Sequence, residues 1–179
     1  MQAHFRLARP VRDIRRTQEM FDVITLDPPP PVEAAGSSLL YSNEFYATVK
    51  ARLKAGGILQ QWMPNTKGKT VQAVVNSLTE SFPYVKMYLS HEGWGHHFLA
   101  SMSPIVTPSP EVMASRLPEL AKTDLVEWVK EKDPKTFLGL VVGSEEDPKA
   151  FVRGAGPIHI TDDRPYNEYY LMRTLFGAL

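Results

Sequence analysis

The chain has 179 residues, of which 43% are hydrophobic and 22% charged, enough apolar content to bury the core of one folded domain. Lys plus Arg and Asp plus Glu both number 20, so the net charge is zero, which argues against a purely electrostatic nucleic-acid or membrane binder. The absence of Cys excludes disulfides, thiolate metal sites and a Cys nucleophile, and the 15 Pro are an excess, four of them forming the run Pro28 to Pro31.

Residues 1–20 read as a basic N-terminal segment. Arg6, Arg9, Arg12, Arg15 and Arg16 interrupt every apolar run, so the segment lacks the apolar stretch of a signal peptide. No stretch of the chain reaches the ~20 apolar residues that span a bilayer, and the expectation is a soluble, cytoplasmic protein. The arginines are plainly read as a solvated face or a frayed end. No aromatic residues interleave with them as a stacking platform for nucleic acid would require.

Phe21 to Leu26 is short, apolar and β-branched, and reads as a buried parallel strand that ends at Asp27 and the prolines. Ser42 is a helix N-cap for a helix over 43–53, stopped by Gly56-Gly57. A second strand follows over 58–63, then an amphipathic helix over 70–82. A third strand over 85–89 and a fourth over 97–102 flank the turn His91-Glu92-Gly93-Trp94-Gly95 as an antiparallel hairpin. The spacing predicts helix over 110–129, an ambiguous apolar segment over 137–142 and a helical turn over 149–153. Strands alternating with helices over 21–179 indicate an α/β fold.

In open parallel sheets, ligands sit beyond the carboxyl ends of the strands, which is where Asp27 stands. A carboxylate there can orient an amine, or take its proton as the amine attacks an electrophile. The prolines leave a stiff wall of free carbonyls beside it. The alternative is a plain turn capped by Asp. Gln60 and Gln61 lie toward the end of the second strand, so one of them faces the same cleft, and Asn65 has a similar position.

The stretch FDVITLDPPPPVEAAGSSLLYSNEFYATVKARLKAGGILQQW resembles the C-terminal part of the polyamine (spermidine/spermine) synthase family of aminopropyltransferases. The pieces HEGWGHHFLASMSP and ITDDRPYNEYYLMR resemble the branch of that family fused to membrane transporters. The resemblance implies a partial Rossmann-like sheet of the S-adenosylmethionine-dependent methyltransferase type, with flanking helices and a C-terminal β-hairpin. It implies transfer of an aminopropyl group from decarboxylated S-adenosylmethionine to a putrescine-like small-molecule amine, with no metal and no tightly bound cofactor. The family's first loop Asp, proposed to deprotonate the amine, falls on Asp27, and its second, which helps bind the diamine, falls on Pro30. The loss of that second acid leaves the acceptor open. Tyr41, just after the loop, is a candidate for the acceptor pocket with Gln60, Gln61 and Pro30, the alternative being a packed aromatic. Pro28 and Trp94 are candidates for the side of the co-substrate, S-adenosylmethionine or its decarboxylated form, with a partner contact or a packed turn aromatic as the alternatives for Trp94.

The family's glycine-rich cofactor loop has no counterpart, because the 179 residues contain no GxGxxG. The sequence therefore reads as the later part of a synthase-like domain, inactive as an isolated chain. Such a part would expose an edge of the FDVITL strand, so a homo-oligomer formed through that edge is expected. Asp162, Asp163, Arg164 and Glu168 read as a structural ion-pair network in preference to a metal site. His91, His96 and His97 read as surface histidines, since His96 and His97 point to opposite faces of a strand. Two other functions stay open. One is an amino-group methyltransferase, for which Asp27-Pro28-Pro29 fits but Pro30 replaces the stacking aromatic. The other is a non-catalytic assembly or polyamine-sensing module.

Overall fold

A computed structural model describes residues 14–27, 32–65, 68–154, 156, 158–169, 172 and 175–177. Pro28 to Pro31 lie outside the described residues, as do Arg6, Arg9 and Arg12. Strand β1, Phe21–Leu26, runs parallel to β2, Leu53–Pro64, so the chain must cross over between them. A 3-10 turn over Ser37–Leu40 and helix α1, Asn43–Lys50, make that crossover. Ser42 caps α1 by accepting a hydrogen bond from the N–H of Phe45 at 3.2 Å.

The helix stops earlier than its apolar spacing suggests, and β2 starts before the paired glycines. Between the first two β1 pairings, Phe21 with Leu53 and Val23 with Ile58, β1 advances two residues while β2 advances five. The surplus forms an irregularity on β2 in which Gly56 takes a φ of 75°. At Gly57 a Cβ would lie 3.0 Å from the carbonyl oxygens of both Lys54 and Phe21. Gly56-Gly57 thus bends the strand and does not end the helix.

Helix α2, Gly68–Ser81, returns the chain to β3, Tyr84–Leu89, which turns into β4, Gly95–Ser101. This hairpin is antiparallel, as its turn residues imply, but β4 inserts beside β2. With the short β5, Glu145–Glu146, the sheet order is β1-β2-β4-β3-β5, a mixed α/β sheet. The helix expected over 110–129 is two, α3, Pro110–Arg116, and α4, Glu119–Leu125, because Pro118 breaks the register. The ambiguous apolar segment is helical, as α5, Pro134–Gly143, and α6 covers Pro148–Phe151. No helix among the described residues is long and apolar enough to cross a membrane.

The core lies between the sheet and α1 and α2. Leu59, Met63, Phe98 and Ala100 point into it from the strands and meet Phe45, Tyr46, Val74 and Leu78 from the helices. Each of these is at most 1% exposed, and full burial of such side chains contributes roughly 1.5–3 kcal/mol apiece. Strand β1 is not buried as its composition suggests. It is an edge paired only to β2 among the described strands, and Val23 on its opposite face is 57% exposed.

Candidate active site

Strand alternation sets which side chains can meet. On β2, Leu59, Gln61 and Met63 face the helices, so Gln60 and Trp62 face the other way. In register, Thr25 pairs with Gln60 and Trp62 pairs with His97. These four side chains and Asp27 line an open cleft of about 520 Å³ where β1 ends.

Asp27 is exposed and lines that cleft one residue past the last residue of β1. Gln60 Nε2 lies 3.4 Å from His97 Nδ1. Burial pushes the His97 imidazole below its ordinary value, the Asp27 carboxylate opposes this, and His96 adds to the lowering. His97 therefore presents a neutral ring at neutral pH. The cleft is lined by a carboxylate, a hydroxyl, an amide, an indole and an imidazole.

The expected site residues separate. Gln60 shares the cleft with Asp27. Gln61 is fully buried on the opposite face, accepting from the Tyr46 hydroxyl at 2.8 Å and donating to the Leu40 carbonyl at 3.0 Å. Tyr41 is also fully buried, and its hydroxyl has no hydrogen-bond partner among the described residues. Burial, then the negative charges of Glu33 and Asp27, raise its phenol well above the usual range. Trp94 is 71% exposed in the β3–β4 turn and does not line the cleft. Asn65 braces that turn, donating from its side chain to the Gly93 carbonyl and from its backbone to that of Trp94. Pro28 and Pro30 fall outside the described residues.

The surface reading of the histidines needs correction. His96 and His97 do point oppositely, but His96 is buried, 3.2 Å from the Glu146 carboxylate and edge-on to Phe151. His97 lines the cleft, and only His91 is exposed. Thr25, Trp62 and His97 went unrecognised as cleft residues. The period-2 pattern already puts Trp62 on the face of Gln60, but the antiparallel insertion of β4 beside β2 is what brings His97 opposite.

The tail group is structural, through hydrogen bonds more than ion pairs. Asp162 accepts from the Ser42 hydroxyl at 2.7 Å and donates its N–H to Glu44 at 3.0 Å. Asn167 donates from its side chain to the Val32 carbonyl and to the Ser37 hydroxyl. Arg15 reaches Asp162 at 3.5 Å. Among the described residues no group of three His, Asp or Glu is arranged to hold a metal ion.

Residues 7–91, which carry β1, α1, β2, α2, β3 and Asp27, match the Spermine/spermidine synthase domain. That segment, just under half of the chain, is similar to the polyamine synthase family. A polyamine aminopropyltransferase of Sulfurisphaera tokodaii is 30% identical over 78 residues, covering 44% of this chain and 26% of the relative. Polyamine aminopropyltransferase 2 of Hyperthermus butylicus is 32% identical over 116 residues, covering 61% of this chain and 37% of the relative. The match thus spans about a quarter of the first relative and little more than a third of the second.

The fold agrees. Spermidine synthase from Thermotoga maritima superposes with a TM-score of 0.58 at 20% identity, over 83% of this chain and 48% of that one. A probable spermidine synthase from Corynebacterium glutamicum gives 0.54 at 13% identity, over 87% and 52%. The sheet of this chain is therefore the spermidine synthase type of α/β sheet over the part it spans.

Proposed function

We propose that the Asp27 cleft is the amine-binding side of an aminopropyl-transfer site. In that reaction an amine nitrogen attacks the carbon beside the sulfonium of decarboxylated S-adenosylmethionine. The C–N bond forms as the C–S bond breaks, the C–S electron pair stays on sulfur, and methylthioadenosine leaves. The surplus proton on nitrogen passes to a base, and Asp27 is placed to take it. The observation that carries this reading is the position of Asp27, just past the carboxyl end of β1 and lining the cleft there, inside the segment that matches the synthase domain.

The 179 residues contain no GxGxxG, and Trp94 stands outside the cleft. We therefore expect the isolated chain to bind amine without turning it over. The test pairs calorimetry with product analysis. Putrescine should bind with an affinity that falls about tenfold in Asp27→Asn, the loss of one charge-assisted contact. Methylthioadenosine should not accumulate from decarboxylated S-adenosylmethionine. Release that disappears in Asp27→Asn would support transfer and overturn the inactivity. With S-adenosylmethionine supplied in place of its decarboxylated form, S-adenosylhomocysteine formed together with methylated amine would replace transfer of an aminopropyl group by transfer of a methyl group. Amine binding indifferent to Asp27 would overturn the reading.

We further infer a homo-oligomer formed through β1. In its support, the outer edge of the strand has no partner among the described residues, and FDVITL carries a single charge, Asp22. It holds none of the lysines or prolines that usually block edge pairing.

A further inference from the structure

We propose that this cleft selects an amine with one cationic end and a flat or apolar remainder over a diamine. The inference rests on the amine reading above and deepens it. Among the described lining residues, Asp27 is the single carboxylate; the others are Thr25, Gln60, Trp62 and His97. One ammonium can therefore be neutralised, by Asp27. A second, carried further along the cleft, would leave water to face a hydroxyl, an amide and two rings. His97 offers it no negative charge, because an imidazole is neutral or cationic and never a counter-ion for an ammonium. Gln60 is already directed at His97, 3.4 Å away.

Trp62 supplies the remainder of the selection. It lies directly opposite His97 in the β2–β4 register and is partly exposed on the cleft face. An indole face takes methylenes or an aromatic ring by stacking and area burial. It also attracts a cation, but as a weaker partner than a carboxylate would be. The two ends of the cleft thus differ: ionic at Asp27, flat and neutral at Trp62 and His97.

The test compares 2-phenylethylamine with 1,4-diaminobutane by calorimetry on the full 179-residue chain, at one pH near 7.5 and one ionic strength. The wild-type chain should bind 2-phenylethylamine about fivefold more tightly. Trp62→Leu should erase that preference. His97→Asp, which adds a second carboxylate, should reverse it in favour of the diamine, and circular dichroism confirms that each variant is folded. Equal or tighter binding of the diamine by the wild type would overturn the inference, as would a preference that neither variant changes. Diamine preference that still depends on Asp27 defeats this inference alone. Binding of both amines that ignores Asp27→Asn, or no binding of either, defeats the amine reading with it.

Discussion

Ser38 donates two hydrogen bonds to the Glu168 carboxylate, one from its backbone N–H at 3.0 Å and one from its hydroxyl at 2.5 Å. Both residues are buried, and 130 positions separate them in sequence. The contact ties the tail to the segment that leads from the prolines into α1. Asn167 makes a parallel tie to Val32 and Ser37, and Asp162 a third to Ser42. The segment that carries Tyr41 is therefore held at both its start and its end by residues of the tail.

Glu168→Ala should be costly for that reason. It strands the Ser38 N–H and hydroxyl in a buried setting, and loss of charged hydrogen bonds of this kind costs about 2–4 kcal/mol. Glu168→Gln keeps an acceptor and should cost less. Urea unfolding monitored by circular dichroism orders the three chains. Equal stability of wild type and Glu168→Ala would show that the tie contributes nothing.

Tyr41→Phe should act in opposite directions on stability and binding. The hydroxyl is buried and has no partner among the described residues, so its removal should leave stability unchanged or raise it by up to about 1–2 kcal/mol. If that hydroxyl is kept for the acceptor site near Asp27, amine affinity should fall in the same variant. A thermal melt and a calorimetric titration of one preparation read both. A destabilised variant with unchanged affinity would make Tyr41 a packing residue.

His97 gives stability a pH dependence with a defined sign. Its folded-state value is lowered, so the unfolded chain binds the proton more readily. The contribution is complete above the unfolded value of about 6.5 and is lost as pH falls from there through the lowered folded value. His97→Gln should flatten the fall in stability between about pH 7 and 5 relative to wild type. Matching profiles for the two chains would contradict the burial of the ring.

Strand β1 should govern association. A lysine at Val23, 57% exposed in the middle of the edge strand, should block pairing between copies. Light scattering after size exclusion should show a dimer or larger assembly for wild type and a shift toward monomer for Val23→Lys. A monomeric wild type would end the proposal.

The α/β order, the Ser42 cap and the antiparallel hairpin were legible because each is local. A β-branched run, a capping side chain and a Gly-rich turn state themselves within a few residues. The position of Asp27 was legible in the same way, as the residue after a strand. Pro118 was an equally local sign that one helix over 110–129 would be two, and the apolar spacing obscured it. What stayed hidden depends on pairing across the sheet. Nothing near His97 says that β4 lies between β2 and β3, so nothing there says that its ring meets Gln60 and Trp62. Gln60 and Gln61 were a choice between two faces, decided only when α1 and α2 cover the side of Gln61 and Tyr46 takes up its amide. The exposure of β1 likewise follows from its place at the end of the strand order, which its apolar composition does not convey.

The most direct test of the amine cleft at Asp27 is a heteronuclear NMR titration of the 179-residue chain with 2-phenylethylamine. The account predicts concerted shifts at Thr25, Gln60, Trp62 and His97 that vanish in a folded Asp27→Asn chain. Shifts centred elsewhere, or unchanged by the loss of the Asp27 charge, would contradict it.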